Sequence, residues 1–539
     1  MEFARLVHKA VVASGRRVYV YLALSSVGTF VISVLVNTVT EYRPGQPPNY
    51  ETMAAFILAC AITVVGRGET SRIMNAVGEG MAHHMRAQYT RLLRNADLAE
   101  IETIGKDTIY STLARNAQIL AESPQPLAQG LASAVTFVLA TIYVAYLSWF
   151  AAIAIIVLVV IVYFAGQYRS TRTQAVMAEG HAAEQSFFDS FNHYLHGLME
   201  VRMDSRRADD LFDNFLVVRA KQARQARLSA LDSVITFSMV VIGAFYLLLG
   251  TVTFITPQFA ETTAIAMKIV YTSSVMWLLI EGFMRIMPTI MRGNAAFTEL
   301  RNIEKRLGAI QRPEPPAAAP LEPVRELAFE NLGFTYPPIE GERYGFSIGP
   351  CNLTLRPGEV TFIVGGNGSG KTTLLRTMCR LYEPSQGRIL WNGREVGDAE
   401  AADYRLRFAA IFSDFHLFDR IYGQRDADPE EVRALLQRVD LHRKTRYENG
   451  RFTTLNLSSG QRKRLALAIA LLEDREVYVF DEIAAEQDPE FRRRVYEEFF
   501  PDLKARGKVV LAITHDERYF DTADHLYFME EGQLSLRNG

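Results

Sequence analysis

Residues 360–376 read VTFIVGGNGSGKTTLLR, an apolar run that meets a glycine-rich turn and then a helix-forming stretch. Within it Gly365, Asn367, Gly368, Ser369, Gly370, Lys371 and Thr372 fit G-x-x-x-x-G-K-T, in the strand–turn–helix setting that a phosphate-binding loop requires. The glycines let the backbone turn so that successive N–H groups, with the N-terminus of the following helix, point at phosphate oxygens. Lys371 brings a positive charge, the Thr372 hydroxyl is a candidate Mg²⁺ ligand, and Thr373 belongs to the same helix start. The pattern implies a nucleoside triphosphate bound with Mg²⁺.

Two further stretches supply what hydrolysis needs. Val477–Glu482, VYVFDE, is a buried-strand pattern ending in two carboxylates. Asp481 suits a water-mediated Mg²⁺ contact, and Glu482 suits polarising the water that attacks the γ-phosphate. Residues 457–461, LSSGQ, place Ser458, Ser459, Gly460 and Gln461 at a second helix start able to bind phosphate. The first loop already surrounds one nucleotide's phosphates, so this second end must serve another. Two such domains facing head to tail would each offer it to the nucleotide held by the other.

The elements that must hold these residues follow from the rest of the chain. At 539 residues it is too long for one core, and its net charge of -2 gives no electrostatic case for a nucleic-acid partner. The composition is 49% hydrophobic and 22% charged, but apolar runs crowd the first 300 residues. Cys60, Cys351 and Cys379 lie far apart without metal-ligand or redox spacing, and read as packing residues of a reducing compartment. Six stretches are apolar enough to cross a bilayer: 18–39, 52–66, 130–148, 151–168, 233–255 and 264–284. The first lacks a small-residue cleavage site and is expected to stay in the protein. Arg5, Lys9, Arg16, Arg17, Arg67, Arg72, Arg169, Arg172, Lys221, Arg224, Arg227, Arg285 and Arg292 flank one side. The other side, Glu41–Glu51, the Ser148 turn and Thr256–Glu261, holds a single Arg43. Both termini are therefore expected in the cytoplasm.

Two long cytoplasmic connections, 69–129 and 169–232, read as charged helical hairpins, with turns expected at Gly105–Ser111 and Val201–Asp210. In the last span, Lys268, Tyr271 and Thr272 follow the i, i+3, i+4 rule and begin a mixed polar and apolar stripe, a candidate substrate pathway. Arg312–Pro320, RPEPPAAAP, can be neither helix nor central strand and marks the domain boundary. Beyond it, β-branched runs alternate with helical stretches, the mark of an α/β domain with a largely parallel sheet.

With the phosphate loop, LSSGQ and VYVFDE in this order, residues 324–539 resemble the nucleotide-binding domain of an ABC transporter. Residues 1–307 resemble the six-span half of an ABC exporter, joined through the linker 308–323. The expected fold is a membrane all-α domain with long cytoplasmic helices plus an α/β P-loop ATPase. The resemblance implies that Tyr336 stacks on adenine, that Asp488 contacts the dimer partner, and that His515 contacts the γ-phosphate. ABC domains usually carry a glutamine where this chain has Ser413; the neighbouring Asp414 is the candidate replacement as a metal ligand. FSDFHLF, LSSGQRKRLAL and FDEIAAEQDPEFRR resemble the bacterial cyclic-peptide exporter subfamily, which includes exporters of siderophore precursors, lipopeptide phytotoxins and lasso-type peptides. The implied function is ATP-driven, Mg²⁺-dependent export of a peptide-type substrate across a bacterial inner membrane by a homodimer. A lipid or multidrug exporter is the alternative within transport, and an ATP-gated channel or sensor subunit the alternative outside it. With no peptidase domain ahead of the first span, an exporter that also cleaves leader peptides is not expected.

Overall fold

The computed structural model describes residues 2–13, 15–38, 49–255, 263–284, 286–308, 320–336, 345–424 and 427–537. The proline-rich segment 312–319 and most of the two loops 41–51 and 256–261 lie outside them. The chain divides into two compact units, Met1–Ala87 with Thr112–Leu300, and Gln88–Ser111 with Arg301–Gly539.

The described chain up to Gly308 is helical, and of it Gln88–Ser111, which holds the helix Leu98–Ile104, and Arg301–Gly308 belong to the second unit. Helix α1 (Glu2–Ala13), which the sequence reading did not separate, is followed by α2 (Arg17–Val36) and α3 (Tyr50–Asn95). Then come α4 (Leu98–Ile104), α5 (Lys106–Glu122), α6 (Pro124–Leu147), α7 (Trp149–His196), α8 (Leu198–Met203) and α9 (Ser205–Asp210). Helices α10 (Val217–Phe254), α11 (Thr263–Met284) and α12 (Ile286–Gly308) complete it. The stretches expected to span fall on these helices, the first running past the end of α2 at Val36. Arg17–Val36, Tyr50–Asn95, Lys106–Leu147 and Ile235–Phe254 are long and apolar enough to cross a membrane, and Trp149–Val162 and Ala264–Ile280 are shorter apolar segments. Ile57, Leu58, Val64, Ile142 and Val159 are exposed, which an apolar solvent tolerates and water does not.

Local chemistry sets the breaks. Ser148 leaves the helical region at φ -160° and its hydroxyl accepts the Ala151 N–H at 3.4 Å, so α6 ends and α7 begins on one residue. Small residues bring helices together: a Cβ on Gly28 would lie 2.3 Å from Thr63 Oγ1, and one on Gly282 would lie 2.5 Å from Ser133 Oγ. Beyond the apolar part, Arg219 joins the hairpin arms by donating to the Ser186 carbonyl at 3.1 Å and to Ser190 Oγ at 2.6 Å.

The first hairpin turns earlier than its sequence suggests. Asp97 accepts the Ala99 N–H at 3.0 Å and starts α4, and Gly105, at φ +89°, ends it. Residues 106–111, expected in the turn, form the opening of α5 instead. In the second hairpin, α8 and α9 occupy 198–210, with Asp204 capping α9.

In the second unit, β1 (Leu327–Thr335), β2 (Ser347–Leu355), β4 (Gln386–Trp391) and β5 (Arg394–Glu395) form an antiparallel sheet in the order β2-β1-β4-β5. A second sheet contains β3 (Val360–Val364), β6 (Phe408–Ile411), β9 (Val477–Asp481), β10 (Val509–Ile513), β11 (His525–Glu530) and β12 (Gln533–Leu536). Its order is β12-β11-β3-β10-β9-β6, parallel except for β12. A small hairpin pairs β7 (Tyr447–Glu448) with β8 (Arg451–Phe452). Strands β3, β9 and β10 are buried at all five positions, as a parallel sheet covered on both faces requires. The separate antiparallel sheet was not legible in the alternation of strands and helices.

Candidate functional site

The phosphate loop leaves the C-terminal end of β3 and opens the helix Lys371–Met378. Its glycines are needed for space and for backbone sign. A Cβ on Gly365 would lie 2.1 Å from the Met529 carbonyl oxygen, and Gly370 holds φ +101° directly before the helix. Asn367 and Gly368 are exposed at the tip. Lys371 Nζ donates to the carbonyls of Gly365 at 2.9 Å and Gly366 at 2.8 Å, folded into the ring of its own loop. Burial lowers its pKa, and the nearby Glu482 and Asp481 carboxylates oppose that shift. Ser369 Oγ is buried and has no hydrogen-bond partner, an orphaned donor in a cradle of backbone N–H groups. A triphosphate fits both the cradle and the orphan.

Strand β9 delivers the carboxylates. Asp481 Oδ2 accepts from the Thr372 hydroxyl at 2.9 Å and from the Ser413 backbone N–H at 3.3 Å. Hydroxyl and carboxylate oxygens in contact are a donor set that suits Mg²⁺. Glu482 adopts φ +55° and donates its N–H to the Ile513 carbonyl at 3.2 Å, a left-handed position for a residue other than glycine. The turn aims its side chain at β10's end, where His515 Nε2 lies 3.2 Å from Glu482 Oε1. Thr514 and Asp516 are fixed on either side of the histidine by the Tyr496 hydroxyl, at 2.5 Å and 2.9 Å. A carboxylate and an imidazole beside the phosphate loop can hold and orient one attacking water.

Tyr336 closes the other flank, its hydroxyl 3.4 Å from Thr373 Oγ1 and donating to Tyr382 Oη at 3.4 Å. Tyr336 and Tyr382 meet edge to face with centroids 5.7 Å apart, an aromatic wall beside the loop helix.

The second helix start stands elsewhere in the unit. Ser458 and Gln461 form a reciprocal capping box at the start of the helix Ser459–Glu473. A Cβ on Gly460 would come 2.7 Å from the Glu486 carbonyl oxygen. Gln487 Nε2 donates to the Gly460 carbonyl at 2.9 Å, and Arg464 pairs with Asp488. Phe491's backbone N–H and the Arg464 guanidinium hold the Asp488 carboxyl below the usual carboxylate range. Lys463, nearly buried, donates to the carbonyls of Glu482 at 3.1 Å and Ala485 at 3.4 Å. The described bonds of Ser458, Gly460 and Gln461 stay within their own helix start and the segment after Glu482, so LSSGQ is braced there.

The comparisons with known proteins agree with this geometry. Residues 18–199 match the family model of the ABC transporter transmembrane region, and residues 348–485 match that of the ABC transporter. The chain is 32% identical to ATP-binding protein SyrD of Pseudomonas syringae pv. syringae over 92% of this chain and 90% of that one. It belongs to the ABC transporter family. Partial likenesses extend to an ATP-dependent lipid A-core flippase of Chromohalobacter salexigens, 30% identical over 46% of this chain and 43% of that protein. A Beta-(1-->2)glucan export ATP-binding/permease protein NdvA of Brucella suis biovar 1 is 30% identical over 41% of this chain and 38% of its own length. A bacterial Atm1-family ABC exporter solved with ATP bound shares the fold with TM-score 0.72 at 17% identity, over 98% of this chain and 95% of that one. The protein is an ATP-hydrolysing ABC exporter whose membrane region is fused to its nucleotide-binding domain.

Two expectations change within this ABC chain. Asp414, expected at the metal, accepts from Arg376 Nη2 at 2.8 Å through its Oδ2, and it is Ser413, through its backbone N–H, that reaches Asp481. Both residues lie in the turn after β6, where the backbone of one and the side chain of the next meet different neighbours. Thr272 is 2% exposed, accepting from Asn37 Nδ2 at 2.9 Å and donating to the Lys268 carbonyl at 2.8 Å, so it joins α11 to the end of α2 rather than lining an open path. Tyr271, beside it in sequence, is exposed at 36%, and Lys268 is half-buried one turn away. Sequence reasoning missed Arg376, Tyr382, Lys463 and Glu102. No motif marks them; only their neighbours in space do.

Proposed function

We propose that this ABC exporter moves a peptide-type substrate, such as a cyclic, lasso or nonribosomal peptide or a siderophore precursor, out across a bacterial inner membrane. It works as a homodimer with both termini cytoplasmic and with 1–307, 308–323 and 324–539 as membrane domain, linker and ATPase. The likeness to SyrD runs along nearly the whole chain, whereas lipid A-core flippases and glucan exporters match less than half of it, which weighs against the lipid and glucan readings. The observation that carries the substrate class is the resemblance of FSDFHLF and FDEIAAEQDPEFRR to the cyclic-peptide exporter subfamily. The bracing of LSSGQ against its own 482–488 segment supports a second, identical chain as the owner of the nucleotide it serves.

In this reading Tyr336 stacks on the base, and Gly365 through Thr373 cradle the phosphates. Thr372 and Asp481 would hold Mg²⁺, which would neutralise phosphate charge during transfer. Glu482 orients the attacking water and His515 holds the γ-phosphate side of it, while Ser458, Ser459, Gly460, Gln461 and Asp488 meet the partner's nucleotide. The test is ATPase of the purified chain in nanodiscs, challenged in parallel with a cyclic-peptide mixture, lipid A and β-1,2-glucan. Saturable stimulation by the peptides is expected; stimulation by lipid A or glucan alone overturns the substrate class.

A further inference from the structure

Within the first unit, a cavity of about 410 Å³ opens among α2, α3, α6 and α11. Its size is that of a small-ligand site, and polar side chains contribute much of its lining. Ser25, Thr29, Thr70 and Thr136 all line it. Each donates its single hydroxyl proton to a backbone carbonyl, to Leu22 at 2.9 Å, Ser25 at 2.8 Å, Gly66 at 2.7 Å and Ala132 at 2.9 Å respectively. A hydroxyl so committed retains two lone pairs and no proton, so what it offers a guest is acceptor capacity. Gln125 and Gln129, at the opening of α6, add carboxamides.

Arg67, directly after the apolar stretch of α3, also lines the cavity, and no carboxylate stands among the lining residues. Nor does Arg67 have a carboxylate partner among the described residues. A guest that engages this lining brings hydrogen-bond donors for the oxygen lone pairs and an anion for the exposed guanidinium. Acyl chains bring neither. A neutral glucan brings hydroxyls but no anion. A peptide with a free carboxylate brings both, and the planar guanidinium matches a carboxylate with two parallel hydrogen bonds.

We propose that this cavity binds an amide-bearing substrate through its backbone N–H groups and seats a substrate carboxylate on Arg67. The proposal rests on the peptide-export reading and adds where, and through which charge, the substrate is held. The full chain in nanodiscs is titrated with a random mixture of short linear peptides lacking Asp and Glu, once with free carboxyl termini and once amidated. The readout is the ratio of the two half-saturating concentrations for ATPase stimulation. The parent should prefer the acid mixture about tenfold, as expected for one charge-assisted pair. Arg67→Gln should bring the ratio near one, Arg67→Lys should restore most of it, and Arg72→Gln, whose arginine pairs with Glu69 outside the cavity, should keep it. Equal stimulation of the parent by both mixtures, or an undiminished preference in Arg67→Gln, overturns the cavity assignment and leaves peptide export standing. Absence of any peptide response in the parent overturns the peptide reading itself.

Discussion

Arg376, on the helix that follows the phosphate loop, donates to Asp414 at 2.8 Å through Nη2 while its Nη1 lies 3.4 Å from Glu102 of α4. The same Nη1 donates to the Tyr382 hydroxyl at 2.6 Å, and Tyr382 in turn bonds Glu102. Burial works against the arginine's charge, but its bonds to Tyr382 and Asp414 more than offset that and raise its pKa. Ala99, one turn before Glu102, is buried in the apolar core that also holds Tyr382 and the loop helix residues Leu374 and Leu375. The short helix at the tip of the first hairpin is thus seated on the nucleotide domain by one guanidinium, two carboxylates and a phenol. Tyr382 also touches Tyr336, so this anchor and the proposed adenine wall share a side chain.

Glu102→Gln keeps the shape and removes the charge. ATP binding should persist, while transport falls several-fold more than ATPase, because the anchor joins the hairpin to the loop helix. Arg376→Met leaves two carboxylates without their partner and should lower the stability of the nucleotide domain by about 1–3 kcal/mol, measured by urea unfolding. Equal losses of transport and ATPase in Glu102→Gln would remove the anchor role.

Asp414 can be assigned by Mg²⁺ titration. If it serves through Arg376, Asp414→Ala and Arg376→Met should share one transport defect with unchanged half-saturating Mg²⁺. Thr372→Ala, which touches Asp481 directly, should raise that concentration. A raised Mg²⁺ requirement in Asp414→Ala alone would return Asp414 to the metal.

Glu482→Gln should still bind ATP, with turnover reduced by about 10² or more. Lys371→Ala should weaken nucleotide binding itself. Parent-rate hydrolysis by Glu482→Gln in detergent would show that the water is activated elsewhere.

Lys463 holds the carbonyl of Glu482 from the helix that LSSGQ begins. Lys463→Met should lower kcat about tenfold with ATP affinity unchanged, since it removes a support of Glu482's left-handed turn and touches no nucleotide. Weaker ATP binding with normal kcat would refute this.

Asn37 and Thr272 make a buried bond between α2 and α11. Thr272→Val leaves the Asn37 amide without this acceptor and should cost about 1–3 kcal/mol, read as a lower unfolding temperature in nanodiscs. Lys268→Gln, on the more exposed side, should change stability little, and a change in peptide stimulation in that variant alone would keep Lys268 on the substrate path.

The order of motifs determined a great deal without any coordinates. A phosphate loop needs its glycines, lysine and threonine consecutive, and β3 and β9 need uninterrupted apolar runs, so Gly365 to Thr373 and Asp481–Glu482 were legible as local pattern. Span positions were legible for the same reason, since a bilayer crossing is a contiguous stretch. What the sequence could not give were relations between residues far apart in number and free in their side-chain direction. Asp414 could be placed next to Ser413 but not turned toward Arg376. Thr272 could be placed on a helix face but not against Asn37, which lies 235 residues away. The start of α4 turned on Asp97 and its end on Gly105, single residues whose effect depends on how the flanking helices meet. Glu102, Arg376 and Tyr382 carry no motif because an ion-pair anchor asks only for opposite charges at contact distance. That distance is fixed by the packing of α4 against the nucleotide domain's core, which only the tertiary structure decides.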